Sequence, residues 1–455
     1  MSTIDGLRQV WRQRGFRRLL GIKVLFQSAD GMVQVGVASY TLLSPERQPN
    51  AWAIAGVLAV TMLPFSIVGP FVSVVIDRWD RRRTLIRVDT ARFLICLFLA
   101  ALVWLAASRS VTGVILVAAL VVMSLERFQA AVLLASLPRT VDAEEYLAAN
   151  TAVPLIGPFG LMVGALVAAA VRLSVGRWTS HTTADALIFL LAGVLFLLSA
   201  AQSRGFARGS LGPQLAPGSA GPRLKLGHAV GLALRDLKVA WKHLAGRSPA
   251  ALGVTTLTAM RLVFGFVMVA IVLIYRNHFH GLAEVDAAVA DLALWVAATG
   301  AGSIVASAVN PVLARRLTLR WTVVVTLLAA AVCQVVPGSI FTRPTLVVAS
   351  FFLGLWTQCV RINVDTLIQA HIDNDTKGRV LVLYDLAFNV PLVIAGLLAA
   401  LILPVDGLSR PAFLACGGIL ALLAGLFAWG SHVVGPAQFD RGTESVTGRW
   451  AEPAA

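Results

Sequence analysis

Residues 203–223, SRGFARGSLGPQLAPGSAGPR, form a basic stretch rich in Gly, Pro and Ser that separates two apolar halves, 19–201 and 248–434. Each half divides into six apolar runs of roughly 20 residues, about the length needed to cross the hydrocarbon core of a bilayer. Runs this long specify helices, because every backbone polar group must be paired within lipid, whereas barrel strands would alternate over about ten residues. Hydrophobic residues make up 58% of the chain and charged residues 13%, a balance that would leave a large soluble domain nowhere to put its apolar surface. The reading is an all-α membrane protein with twelve transmembrane helices arranged as two pseudo-symmetric six-helix bundles.

The expected spans are 19–43, 51–76, 84–107, 111–137, 150–171, 184–201, 249–275, 289–313, 321–341, 344–371, 379–403 and 411–434. They define a basic N-terminus (1–18), a first bundle (19–201), a linker (202–247), a second bundle (248–434) and a tail (435–455). The formal net charge of +15 follows the topology. Arg8, Arg12, Arg14, Arg17 and Arg18 precede the first span, and Arg78, Arg81, Arg82 and Arg83 separate the second from the third. The linker carries Arg204, Arg208, Arg223, Lys225, Arg235, Lys238, Lys242 and Arg247, and Arg315, Arg316 and Arg320 follow the eighth span. Loops on the other side carry few, such as Arg47, Arg109 and Arg343. By the positive-inside rule this places both termini and the linker on the cytoplasmic side of the inner membrane. Anionic lipid headgroups are the expected neighbours of these cations, and no nucleic-acid partner is expected.

The apolar stretch after the N-terminal arginines is too long for a signal peptide and lacks a small-residue cleavage site, so it is expected to remain as the first span. Cys96, Cys333, Cys359 and Cys416 lie singly in apolar runs and read as small core residues, without the spacing of a disulfide framework or zinc site. Within the linker, 203–223 reads as flexible. Over 225–246, Leu226, Val230, Leu234, Leu237, Trp241 and Leu244 recur at helical spacing, with Lys225, Arg235, Lys238 and Lys242 elsewhere on the wheel. That pattern predicts an amphipathic helix on the membrane surface, acting as a tether or, alternatively, as a regulatory partner site.

An internal repeat shows in the polar residues. Asp30 and Arg261 fall at matching depths of the first and seventh spans, and LPRTVDAEEYLAAN (137–150) has its counterpart in IQAHIDNDTKGRVLVLYD (368–385). Two parallel repeats predict a ligand site near the midplane between them.

The segment SVVIDRWDRRRTL, residues 73–85, resembles the loop signature of the major facilitator superfamily, an Asp-Arg pair followed by two or three basic residues. Asp77, Arg78, Arg81 and Arg82 match, while Ser73 and Asp80 replace the two usual glycines. With Asp89 and Arg92 following, the variant is similar to a bacterial efflux branch that includes siderophore exporters and macrolide-type efflux proteins. PLIGPFGLMVG (154–164) partly resembles the Gly-Pro motif of antiporters: Gly157 and Pro158 match, Gly160 comes one position early, Gly164 ends the stretch and the upstream glycine is missing. The resemblance covers essentially the whole chain and implies a monomeric major-facilitator-like secondary transporter working by alternating access. Asp77 can cap the following turn or pair with a cation, and the arginines can reach helix ends and carboxylates of the other half, so that Asp77, Arg78, Arg81, Arg82, Asp89 and Arg92 form a cytoplasmic latch. The alternative is that these arginines only hold the loop inside.

A charge near the bilayer centre costs roughly 2.5 to 3.5 kcal/mol even on the insertion scale, so such residues face a cavity or a partner. Asp30, flanked by Gln27 and Gln34, is the leading proton-coupling residue, with Arg261 across the pseudo-twofold as its expected partner. A permanent ion pair fixing the first and seventh spans is the equal alternative. Glu126, Arg127, Arg361 and Asp365, with Asp385, are expected at an inner gate or cavity, and Asp89 with Arg92 in a local pair. Arg127, Arg261 and Arg361 point to an anionic or zwitterionic substrate unless Glu126, Asp30 and Asp365 neutralise them. Trp52, Trp104, Trp295, Trp321 and Trp356 are expected to pack or to anchor at interfaces.

No Gly-x-x-x-x-Gly-Lys-Ser/Thr phosphate loop occurs, and no enzyme activity, metal or cofactor is expected. Asp373-Asn374-Asp375, and His278 with His280, bring too few ligands for a metal; Asp373 is expected to cap or solvate the turn before the eleventh span. The functional expectation is proton-coupled export of an amphiphilic small molecule, drug-like, siderophore-like or otherwise anionic or zwitterionic. The alternatives are a lysophospholipid or lipid-precursor flippase and a transporter-like sensor that moves nothing.

Overall fold

The computed structural model describes residues 11, 13–42, 50–67, 79–105, 111–142, 146–212, 226–281 and 284–441. Asp77, Arg78 and linker residues 213–225 lie outside them, as does the side chain of Pro158. The first half holds α1 (Arg14–Leu42), α2 (Ala51–Ile67), α3 (Arg81–Leu105), α4 (Thr112–Ser136), α5 (Tyr146–Trp178) and α6 (His181–Arg204). The linker holds α7 (Leu226–Ala245). The second half holds α8 (Ser248–Leu273), α9 (Val285–Leu317), α10 (Leu319–Ser339), α11 (Arg343–His371), α12 (Asn374–Ile402), α13 (Arg410–Val434) and the short α14 (Pro436–Asp440). Among the described residues there is no strand, and ten helices are long and apolar enough to cross a membrane. The places of the first two expected spans are taken by α1, whose 29 residues include Arg14, Arg17, Arg18, Lys23 and Asp30, and by the 17-residue α2.

The chain divides into two compact units, residues 1–44 with 59–233 and residues 45–58 with 234–455. In the first unit α1 packs on α5 and α6, and α3 on α6; in the second α8 packs on α12, and α10 on α13. First-with-fifth and third-with-sixth contacts thus recur in both halves, the packing counterpart of the sequence repeat. Small residues let these backbones approach closely. A methyl group at Gly164 would overlap the Ser28 carbonyl oxygen, and one at Gly31 the Leu161 carbonyl oxygen. In the second unit Gly302 and Gly354 bring α9 and α11 together in the same way. Large apolar side chains on the outer faces, among them Leu105, Ile304, Leu401 and Trp429, are exposed, as a lipid-facing surface requires.

Helix α3 begins at Arg81, so the arginines expected in a loop form its first turn. Asp80 is its cap: the Asp80 carboxylate accepts from the Arg83 N–H at 3.0 Å and its carbonyl from the Thr84 N–H at 2.9 Å. The residue that replaces the second signature glycine therefore starts a helix. The linker also departs from expectation near its beginning. Phe206 and Leu211 are buried, and the Gly212 carbonyl accepts from the Arg81 N–H at 3.1 Å, so 205–212 is folded against the first unit. The amphipathic segment is helical as α7, but its stripe divides: Leu244 is buried together with Ala240, while Leu234 and Trp241 are exposed.

Candidate functional site

The first unit concentrates its charges where α1, α3, α4 and α6 meet. Asp30 is 1% exposed and Arg92 is fully buried, and the two form an ion pair. Arg92 also lies over the Phe196 ring at 3.9 Å. Asp89, equally buried, accepts hydrogen bonds from Gln129 at 2.7 Å and Ser199 at 2.6 Å, with Arg92 only at 4.0 Å. Gln27 donates to Glu126 at 3.1 Å and stands 3.5 Å from Asp30, and Glu126 pairs with Arg127 at 3.0 Å. Gln34 makes a long contact of 3.9 Å to the Met123 sulfur.

This arrangement changes several expectations. Asp30 is paired inside its own unit by Arg92, while Arg261, the expected partner, donates through Nε to the Phe388 carbonyl at 3.2 Å. Asp89 and Arg92 belong to the helix-packed core and not to a loop latch, because their positions on α3 turn them toward α1, α4 and α6, away from water. Of the latch arginines, Arg81 donates to the carbonyls of Ala135 at 2.9 Å and Leu211 at 3.2 Å, and Arg82 to that of Arg204 at 3.0 Å. The Ala135 and Arg204 carbonyls are at the ends of α4 and α6, which a cation satisfies and which the helix dipole makes attractive, while Leu211 belongs to the folded start of the linker. The helix ends reached are in the same unit. The stripe Gly157, Gly160 and Gly164 lies against α1, where Ser28 donates to the Gly160 carbonyl at 3.0 Å and a methyl at Gly157 would sit 3.2 Å from Gln27 Oε1.

The second unit presents a different pattern. Arg261 on α8 and Arg361 on α11 both lie over the Phe388 ring of α12, at 3.8 and 4.3 Å. Among the described residues, neither guanidinium has a carboxylate within the 4.0 Å of an ion pair. The Tyr384 hydroxyl, beside Arg361, instead donates to Asp365. Asp385 is exposed, and its backbone carbonyl accepts from Asn389 at 2.8 Å. Asp373 opens α12 without a side-chain cap; its exposed carboxylate pairs with Arg247 at 2.7 Å and lies 3.4 Å from His243 Nε2, so of the two expected roles the side chain does not cap the turn.

Three buried polar features escaped the sequence reading. Arg172 and Asp185 pair at 2.9 Å, with Ser39 donating to Asp185 at 2.7 Å; Arg172 fell just past the end of the fifth expected span, and Asp185 stood at the second position of the sixth, where a charge reads as a helix end. Asn310 and Asn363 exchange amide hydrogen bonds of 3.1 and 2.9 Å between α9 and α11. Arg276, in the π-helical turn Ile274–Phe279, donates to the Gly281 carbonyl at 3.3 Å. His280 contacts Asp291 at 2.8 Å and Glu284 at 3.4 Å. Among the described residues, no cluster of three or more His, Cys, Asp or Glu is placed to hold a metal.

Several proteins to which this chain is similar are transporters by name. The family model described as Major Facilitator Superfamily matches residues 254–447. An uncharacterized MFS-type transporter of Mycobacterium tuberculosis is 31% identical over 430 residues, 93% of this chain and 92% of its own length, and one of Mycobacterium bovis gives the same figures. Among solved structures, the nucleoside transporter NupG superposes with a TM-score of 0.65 at 11% identity, covering 92% of this chain and 99% of its own. The POT family transporter PepTSo gives 0.61 at 10% identity over 92% and 98%, and the xylose transporter XylE from E. coli 0.57 at 13% over 94% and 98%. A relative of this identity along nearly the whole length, with the same helical architecture in solved transporters, establishes that the chain belongs to the major facilitator superfamily.

Proposed function

We propose that this transporter exports an anionic or zwitterionic amphiphile in exchange for protons, by alternating access, as a monomer in the inner membrane with both termini in the cytoplasm. The observation that carries the substrate class is the pair Arg261 and Arg361 on one Phe388 ring, without a carboxylate at ion-pair distance. In the first unit each arginine of the polar core has an acidic neighbour, Arg92 with Asp30 and Arg127 with Glu126. Beside Phe388, Asp365 acts on Arg361 only from beyond ion-pair distance and is hydrogen-bonded by Tyr384, so two guanidinium groups share one more distant carboxylate; an anion would gain both of them and a lipophilic cation would be repelled.

Proton coupling rests on Asp30. Its protonation removes the charge that Arg92 balances, leaving Asp89 at 4.0 Å as the nearest alternative acceptor. A proton thus selects between two pairings of one buried arginine, a differential interaction of the kind needed to shift a two-state population. The efflux-type loop variant Asp77-Arg78-Trp79-Asp80-Arg81-Arg82 supports the outward direction. The test is accumulation in proteoliposomes under an imposed pH gradient, comparing taurocholate as anionic probe with ethidium as cationic probe. Gradient-driven accumulation of taurocholate and not of ethidium is expected; ethidium transport alone would sink the reading.

A further inference from the structure

A cavity of about 630 Å³ lies within the second unit, bounded by α7, α8 and α12. Trp241 and Leu244 form one wall, Val254 and Thr258 the second, and Leu386 and Pro391 the third. The size suits a small-ligand site, for which about 300 to 1,000 Å³ is usual. The lining hydroxyls are those of Thr255 and Thr258, and each already donates to the carbonyl one helical turn back, Ala251 and Val254, at 2.8 Å. Apart from the Trp241 indole N–H, a guest therefore meets a lining that is mostly hydrocarbon, with both hydroxyls already donating, which favours an alkyl chain over a polar ligand.

By helical register, the part of α7 next to Trp241 and outside the lining forms a cationic rim. Lys238 and Lys242 are exposed on α7, within about 100° of Trp241 around the helix, and among the described residues neither is in an ion pair. Neighbouring cations are matched, Arg379 by Asp236 at 3.1 Å and Arg247 by Asp373 at 2.7 Å. Trp241 stands 63% exposed at the same wall, the residue type that settles at the level of lipid headgroups.

We propose that this cavity is a lipid site: it takes one acyl chain of an anionic phospholipid from the leaflet on which α7 lies, and Lys238 and Lys242 hold the phosphate. The apolar lining selects the chain and the unmatched lysines select the charge. Bound in this way, the lipid fastens the linker helix to α8 and α12.

The test uses the full-length protein in phosphatidylcholine nanodiscs containing phosphatidylglycerol with a diazirine on its acyl chain. Photolysis is expected to label the segments 241–258 and 383–394. Labelling is expected to fall at least about fivefold, the effect of one surface charge contact, when phosphatidylcholine carries the diazirine or when the rim is reversed by Lys238→Glu with Lys242→Glu. Filling the cavity by Ala251→Leu with Ala387→Leu is expected to reduce it equally; should that variant fail to fold, the rim variant, altered only at exposed positions, decides. Equal labelling by the choline lipid, labelling that survives the rim reversal, or an unlabelled wild type because protein covers the cavity, overturns the assignment.

Discussion

Arg92 has no exposed surface, and what it meets is Asp30, the Phe196 ring and, more distantly, Asp89. Removing one member of such a pair leaves a buried charge without its partner, at a cost of roughly 3–5 kcal/mol. Asp30→Ala and Arg92→Met are each expected to lower the unfolding temperature in detergent, and the double variant to recover part of the loss; strict additivity would mean that the two do not interact. Asp30→Asn keeps an oxygen for Arg92 and is expected to stay folded yet lose gradient-driven accumulation, so undiminished accumulation removes Asp30 from coupling. In the second unit, Arg261→Gln and Arg361→Gln are each expected to raise KM for an anionic probe about tenfold, the worth of one charge-assisted hydrogen bond, without lowering folded yield. An unchanged KM in both would dismiss the anion site. Asp30 stood out in the sequence because a carboxylate inside an apolar run is costly; its partner did not, since Arg92 lies 62 residues away on another helix.

At the scale of elements, small residues set the distance between helices. Gly164→Ala is expected to destabilise by about 1–3 kcal/mol, as overpacking does, because the added methyl meets the Ser28 backbone. Gly418→Ala in α13 meets nothing within 4 Å and is expected to be neutral or slightly stabilising by helix propensity. Thermal unfolding of both variants compares them directly; equal shifts would show that the α1–α5 contact does not limit stability. The glycines at 157, 160 and 164 were visible as a motif, but their part in the α1–α5 contact required the packed helices. Helix α3 teaches a related lesson: Arg81, Arg82 and Arg83 read as loop because hydropathy alone sets a span's edge, whereas Asp80 caps a helix that already contains them.

For the whole molecule, the cation-rich loops predict an orientation that fusions can measure. Reporter enzymes that work only outside the cytoplasm are expected to be inactive when fused after residue 440 or inserted near residue 215, and active in the loop that contains Arg109. The opposite pattern would invert the reading of every loop. The sequence by itself determined the class, the approximate spans, the repeat and the family, because hydropathy, loop charge and short motifs are sums over neighbouring residues. Only the tertiary structure decided which arginine meets which carboxylate. That choice depends on how each helix is rotated and packed, and so Asp30 finds Arg92 within its own unit while Arg261 and Arg361 are left to share the Phe388 ring.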